Sequence, residues 1–208
     1  MVLPSPAKMS SPFLILNLTF LPLEQILLNF SCSDLIDFSL CSKKCKVAVK
    51  NIRNSFTGIE VYINTMQGFN VRVMRGFEQC VLSKFVTDPE HIPNIRDRSK
   101  NFNINGRAMQ VFRGKGSKVF FISSPSNPEL DLKSFLEFLM EILRIPVVVV
   151  DLRPDGVDGF MKYIQSFPVC QKFRLYEKNA ISNEDLLLIK KNVKAGVFFR
   201  NGAPVRDK

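Results

Sequence analysis

The chain contains one histidine, His91, in 208 residues. Cys-His and Ser-His nucleophilic pairs need an imidazole, so every such pair would have to run through this residue, which lies in a proline-flanked loop. Phosphate-cradling glycine motifs are missing as well, since Gly156 and Gly159 form neither a GxGxxG nor a Walker pattern. Cys41 and Cys45 stand four apart and could share a helical face. A structural zinc needs four ligands, however, and no second Cys or His pair exists. Asp151, Asp155 and Asp158 follow an apolar run, where open α/β sheets often carry ligand sites. Pro154 among them gives the plainer reading of a turn feeding the next helix. The expectation is a non-catalytic chain with no cofactor and no metal. No apolar stretch approaches the roughly 20 residues that a membrane-spanning helix needs, so no membrane partner is expected.

What is present suits a folded core. Hydrophobic residues make up 46% of the chain and aromatics 11%, which excludes a disordered protein. The cysteine count of 5 is odd and has no regular framework, as expected where thiols stay reduced. Lys8 followed by Phe13 to Leu23 mimics the charged and apolar regions of a signal peptide. Asn17, Thr19 and Pro22 interrupt that run, and no small-x-small cleavage site follows, so the reading is intracellular, in cytoplasm or nucleus. The net charge of +10 favours nucleic acid, acidic protein surfaces or anionic lipid without choosing among them. Its lysines and arginines are scattered from Lys43 to Lys194, which fits solvated faces better than one binding surface. Cations beside aromatics, as in Phe112-Arg113 and Lys172-Phe173-Arg174, keep a basic nucleic-acid-binding module as the alternative. Phe198 and Phe199 cannot both serve it, because adjacent strand residues point to opposite faces.

The densest pattern runs from Leu21 to Lys46. Pro22 opens a helix whose Leu23, Ile26, Leu27 and Phe30 fall at i, i+3, i+4 and i+7, a single apolar stripe. Ser31 with Asp34 is a capping-box pattern for a second helix, whose apolar residues form two sets, Leu35 with Phe38 and Ile36 with Leu40. That helix needs neighbours on two sides. In a third, Cys45, Ala48, Val49 and Ile52 repeat the stripe while Lys43, Lys44, Lys46, Lys50 and Arg53 lie largely off it. A unit of roughly 40 residues is near the lower size limit for folding alone, so this one should require a partner surface.

These residues resemble an F-box. The Leu-Pro-x-Glu opening is Leu21, Pro22, Leu23 and Glu24, and the closing segment is Leu40 to Lys46, with Cys45 where many F-boxes carry an aromatic residue. The chain is similar to nematode F-box proteins with an F-box-associated region of type 2. The resemblance implies a flexible N-terminus over residues 1–11, an F-box over 12–54 and a substrate-binding region over 55–208. It also implies docking to a Skp-type adaptor, and through it to a cullin, with an unidentified protein held for ubiquitin transfer. Leu21, Pro22, Leu23, Ile26, Leu27, Leu35, Ile36 and Leu40 would face or shape the adaptor surface, with Leu40, Cys41, Ser42 and Lys43 as the closing contact. A degenerate paralogue without ligase function is the further alternative.

Past the helices, periodicity becomes alternating. Ile59, Val61 and Ile63 mark one strand and residues 71–74 another, paired across Gly68. Thr87 to Asn101 reads as a loop, and Asn105-Gly106 as a tight hairpin turn. These short antiparallel strands occupy 55–118. From Val119 to the C-terminus, strands and helices alternate: VFFIS, a helix over Leu130 to Arg144, VVVVDL, a helix over Val157 to Ser166, KFRLYE, a helix opened by Ser182, and GVFFRN. Comparing Val149, Leu175 and Phe199, strands recur about every 25 residues, in the range of leucine-rich-repeat-like solenoids. An ordinary three-layer α/β domain is the alternative. The overall class is α+β: a three-helix F-box, short antiparallel strands, and a strand-helix repeat that ends abruptly at Gly202 to Lys208, as in a shortened product.

Overall fold

The computed structural model describes residues 15–64, 68–76, 78–86, 99–113, 120–123, 127–154, 161–164, 169–177 and 181–204. The expected flexible segment 1–11, with Pro12, Phe13, Leu14, His91, Asp155, Gly156, Asp158 and Gly159, lies outside them. The fold is mixed α+β, with a helical N-terminal region followed by strands interleaved with further helices.

A 3-10 turn at Ile15–Asn17 precedes α1 (Phe20–Leu28), α2 (Cys32–Cys41) and α3 (Lys43–Asn51). Helix α1 starts two residues before Pro22, so the proline is third in the helix rather than first. It is still in the turn whose N–H groups have no intrahelical acceptor, and nothing is lost there. Leu23 N begins the ladder by donating to Thr19 O at 3.2 Å. Both halves of the Ser31 capping box form: Asp34 N donates to Ser31 Oγ at 3.2 Å, and Ser31 N to Asp34 Oδ2 at 3.3 Å. Ser42 caps α3 in the same way, its Oγ accepting from Cys45 N at 3.1 Å.

Among the described residues, ten strands form one sheet. Strands β1 (Gly58–Asn64), β2 (Gly68–Arg75) and β3 (Glu78–Val86) make an antiparallel meander. β4 (Ser99–Ile104) and β5 (Arg107–Arg113) form a hairpin, and β6 (Phe120–Ser123) fits between β5 and β3. On the other side of β1, β7 (Val147–Arg153), β8 (Val169–Leu175) and β9 (Lys194–Arg200) run parallel, and β10 (Ala203–Pro204) folds back on β9. The resulting order is β10-β9-β8-β7-β1-β2-β3-β6-β5-β4.

Several sequence expectations shift here. The segment read as a loop ends earlier, because Ser99 to Asn101 pair with β5. Asn105 (φ 50) and Gly106 (φ 84) make the expected hairpin turn with two left-handed residues. A second Asn-Gly pair, Asn201 (φ 49) and Gly202 (φ 82), turns β9 into β10 within the segment read as an abrupt end. The regular parallel run covers β7 to β9, joined through α5 (Met161–Ile164) and α6 (Asn183–Asn192). Strand β6 does not sit beside β7. Helix α4 (Pro128–Leu143) carries the chain from β6 past β3, β2 and β1 to the far side of the sheet. A short apolar run specifies a buried strand but not its neighbour, which is why Val119 to Ser123 looked like the first repeat.

The core is continuous from the helices into the sheet. Leu27, Leu35, Ile36 and Val49 join Ile59, Val61 and Ile63 of β1 and Leu132, Phe135, Leu136, Leu139 and Ile142 of α4. VVVVDL is buried as a central strand should be, with Val147, Val149, Val150 and Leu152 all enclosed between two parallel neighbours. The opposite sheet face, by alternation and register, carries Glu60, Tyr62, Arg72, Asp151 and Arg174.

Candidate functional site

The eleven adaptor-directed residues separate into three groups. Leu23, Leu27, Leu35 and Ile36 are core side chains, the last three almost fully enclosed. Leu21 is 63% exposed, and Pro22, Cys41, Ser42 and Lys43 are also exposed, while Ile26 and Leu40 are half-buried. Sequence reasoning passed over two apolar residues that reach solvent. Phe20 is 47% exposed beside Leu21, and Val47 is 55% exposed on the outer side of α3. Phe20 belonged to the apolar run ahead of Pro22, which was its only signal. Val47 lay off the predicted stripe, and that position already implied an outward direction. Phe30 and Phe38 meet edge to face at 6.0 Å, joining the end of α1 to α2. The helices thus have a filled interior and still present Phe20, Leu21 and Pro22 outward.

Glu24, the acidic residue of the opening motif, is fully enclosed. It accepts from Arg53 N at 2.9 Å, Arg53 Nε at 3.1 Å and Arg53 Nη2 at 2.7 Å. These hydrogen bonds hold its carboxyl below the ordinary value and raise Arg53 further. Helix α1 is thereby tied to the segment leaving α3. A buried carboxylate of this kind needs such a partner, because it has surrendered its water.

The three helices are set on the sheet unit through α4. Lys46 Nζ lies 2.7 Å from Glu141 Oε2 and 5.5 Å from the Phe138 ring centroid, and Lys50 Nζ lies 3.6 Å from Glu141 Oε1. The hydrogen bond from Lys46 keeps the Glu141 carboxyl low. Asn54 Nδ2 donates to Leu143 O at 3.0 Å, and Asn54 Oδ1 accepts from Phe56 N at 3.1 Å. Thus the strap from α3 to β1 is pinned to the end of α4.

Among the described residues, the other sequence candidates lie apart from one another. Cys45 is buried at the α3 cap, and Cys41 is exposed with its Sγ donating to Asp37 O at 3.2 Å. Cys170 is enclosed, and burial pushes its thiol up to about 11, which makes it a poor nucleophile. Among the described residues no group of three or more His, Cys, Asp or Glu could hold a metal. Asp151 is buried beside Arg174, Oδ1 to Nη1 3.6 Å, and desolvation raises its carboxyl despite that charge. Tyr62 donates to Glu60 Oε2 at 3.2 Å and carries Arg72 over its ring at 4.3 Å. Phe173, between Lys172 and Arg174, stacks on Phe198 at 5.3 Å within the core. It offers no ring to a nucleic-acid base.

Residues 15–57 match the family model of the F-box domain. The chain therefore carries an F-box over α1, α2, α3 and the strap into β1. No curated protein matches the chain, and no solved structure does. Among the described residues no helix is long and apolar enough to cross a membrane.

Proposed function

We propose that this chain is the substrate-recognition subunit of a Skp-cullin-F-box ubiquitin ligase. Its F-box docks the Skp-type adaptor, and its sheet unit holds a protein substrate. The observation that carries this reading is the outward presentation of Phe20, Leu21 and Pro22 beside a complete helical core. Apolar side chains of that size each contribute about 1.5–3 kcal/mol when a partner covers them. Leu23, Leu27, Leu35 and Ile36 shape that surface from within. The closing contact falls to the exposed Cys41, Ser42 and Lys43 with the half-buried Leu40. The chain performs no bond chemistry of its own. It raises the effective concentration of substrate near the ubiquitin-loaded enzyme, and the α3–α4 seam fixes the direction in which the sheet unit extends from the adaptor.

Co-expression with a Skp-type adaptor and size-exclusion chromatography test this. The wild-type chain should co-elute with adaptor, and Leu21→Ala with Pro22→Ala should release it while circular dichroism stays native. Equal adaptor capture by the native-like double variant overturns the assignment.

A further inference from the structure

We infer that the polar face of the sheet at β7, β8 and β9 docks an extended acidic segment of a protein, which on the F-box reading is the ligase substrate. Register fixes the layout. Val149, Lys172 and Val197 lie abreast across the three strands, as do Asp151, Arg174 and Phe199 one step on. Tyr176 N donates to Leu152 O at 2.9 Å, which continues the pairing so that Arg153 lies beside Tyr176. The Arg153 guanidinium sits over that ring at 5.2 Å.

Depth separates the charges on this face. The carboxylates of Glu60 and Asp151 are buried, and Asp151 engages Arg174 from below. Arg153 and Lys172 are exposed, Arg174 and Tyr176 are half-buried, and Val197 is 42% exposed with Phe199 half-buried beside it. Among the described residues, the layer that meets solvent is therefore cationic with an apolar margin.

Spacing identifies the occupant. Lys172 and Arg174 are two residues apart on one strand, about 6.6 Å, the repeat of same-side residues in any extended chain. Carboxylates at alternate positions of an extended segment fit this spacing, one on Lys172 and the next sharing the Arg174 guanidinium with Asp151, and an apolar residue in that segment covers Val197 and Phe199. Nucleic acid fits less well, because Phe173 is in the core and Arg153 already covers one face of Tyr176.

The test uses the full chain with its adaptor. Fluorescence anisotropy follows a peptide with glutamates at alternate positions around a central leucine, a matching lysine peptide, and poly-uridine, each across a salt titration. We expect the glutamate peptide alone to bind, more weakly at high salt, and Arg153→Glu with Lys172→Glu to cost at least about tenfold in affinity. Val197→Ser should weaken binding without changing the salt slope. Failure of the glutamate peptide to bind, equal binding by the charge-reversed chain, or tighter binding of poly-uridine overturns the inference. Adaptor co-elution is read on the same samples, so loss of the adaptor alone rejects the ligase assignment and leaves the docking surface standing.

Discussion

Arg53 closes on the enclosed carboxylate of Glu24 with three donors, its backbone N–H at 2.9 Å, Nε at 3.1 Å and Nη2 at 2.7 Å, across 29 residues of sequence. The acid of the Leu-Pro-x-Glu opening therefore acts inside the helical unit, where it ties α1 to the exit of α3. Neighbouring Leu21 and Pro22 point outward. One short motif supplies both the latch and the exposed surface.

That latch makes stability depend on pH in a definite direction. Arg53 hydrogen bonds depress the folded-state pKa of Glu24 below its ordinary value of 4.5. Its contribution is complete above that value and is lost as pH falls through the lower folded-state pKa. Glu24→Gln keeps the shape and removes the charge. The variant should melt below wild type at neutral pH, and the two should converge on acidification. Parallel melting curves across the whole acid range would reject Glu24 as a source of the dependence.

Gly58 opens β1 where a side chain has no room. A Cβ there would lie 2.5 Å from Val148 Cγ1 and 2.7 Å from Val148 Cγ2, and valine has one stiff torsion with which to yield. Gly58→Ala should cost about 1–3 kcal/mol in urea denaturation. Adding Val148→Ala should recover part of that loss, giving a non-additive cycle. Additive costs would mean that the strand shifts instead of clashing.

Features written in adjacent residues were readable in advance. Ser31 with Asp34 and Asn105 with Gly106 each act over three residues or fewer and form as expected, and Ser182 opens its helix as expected, its Oγ accepting from Asp185 N. Asn201-Gly202 carried the same turn signal and went unused. Partner choice was not readable. Nothing in Val119 to Ser123 states that its strand pairs with β3 and β5 rather than β7, and nothing in Leu-Pro-Leu-Glu names Arg53. The excess of apolar surface on the N-terminal helices was visible in the stripes. Leu21 and Leu23 lie about 200° apart around a helix, so one had to face away from the other. Only the packing against α2 and α3 decides that Leu23 is the inner one.

The seam between the F-box and the sheet unit should depend on packing far more than on its ion pairs. Glu141 and the lysines it meets are each about a third to a half exposed, so water and salt screen the attraction. Glu141→Ala should cost less than about 1 kcal/mol, and less still at high salt. Phe138→Ala, which removes the buried ring of α4 that lies under Lys46 of α3, should cost about 3–5 kcal/mol. Comparable losses for the two variants would assign the seam to electrostatics.

The inner and outer leucines of the F-box should fail in different ways. Leu27 is fully enclosed, so Leu27→Ala leaves a cavity and should cost about 2–5 kcal/mol, with adaptor capture falling only as the helices melt. Leu21 is mostly in water, so Leu21→Ala should stay within about 0.5 kcal/mol of wild type while capture falls at unchanged melting temperature. Melting curves and adaptor pull-downs on the same preparations separate the two. If Leu21→Ala lowers the melting temperature as far as Leu27→Ala does, its side chain is part of the interior and the outward surface has been misplaced.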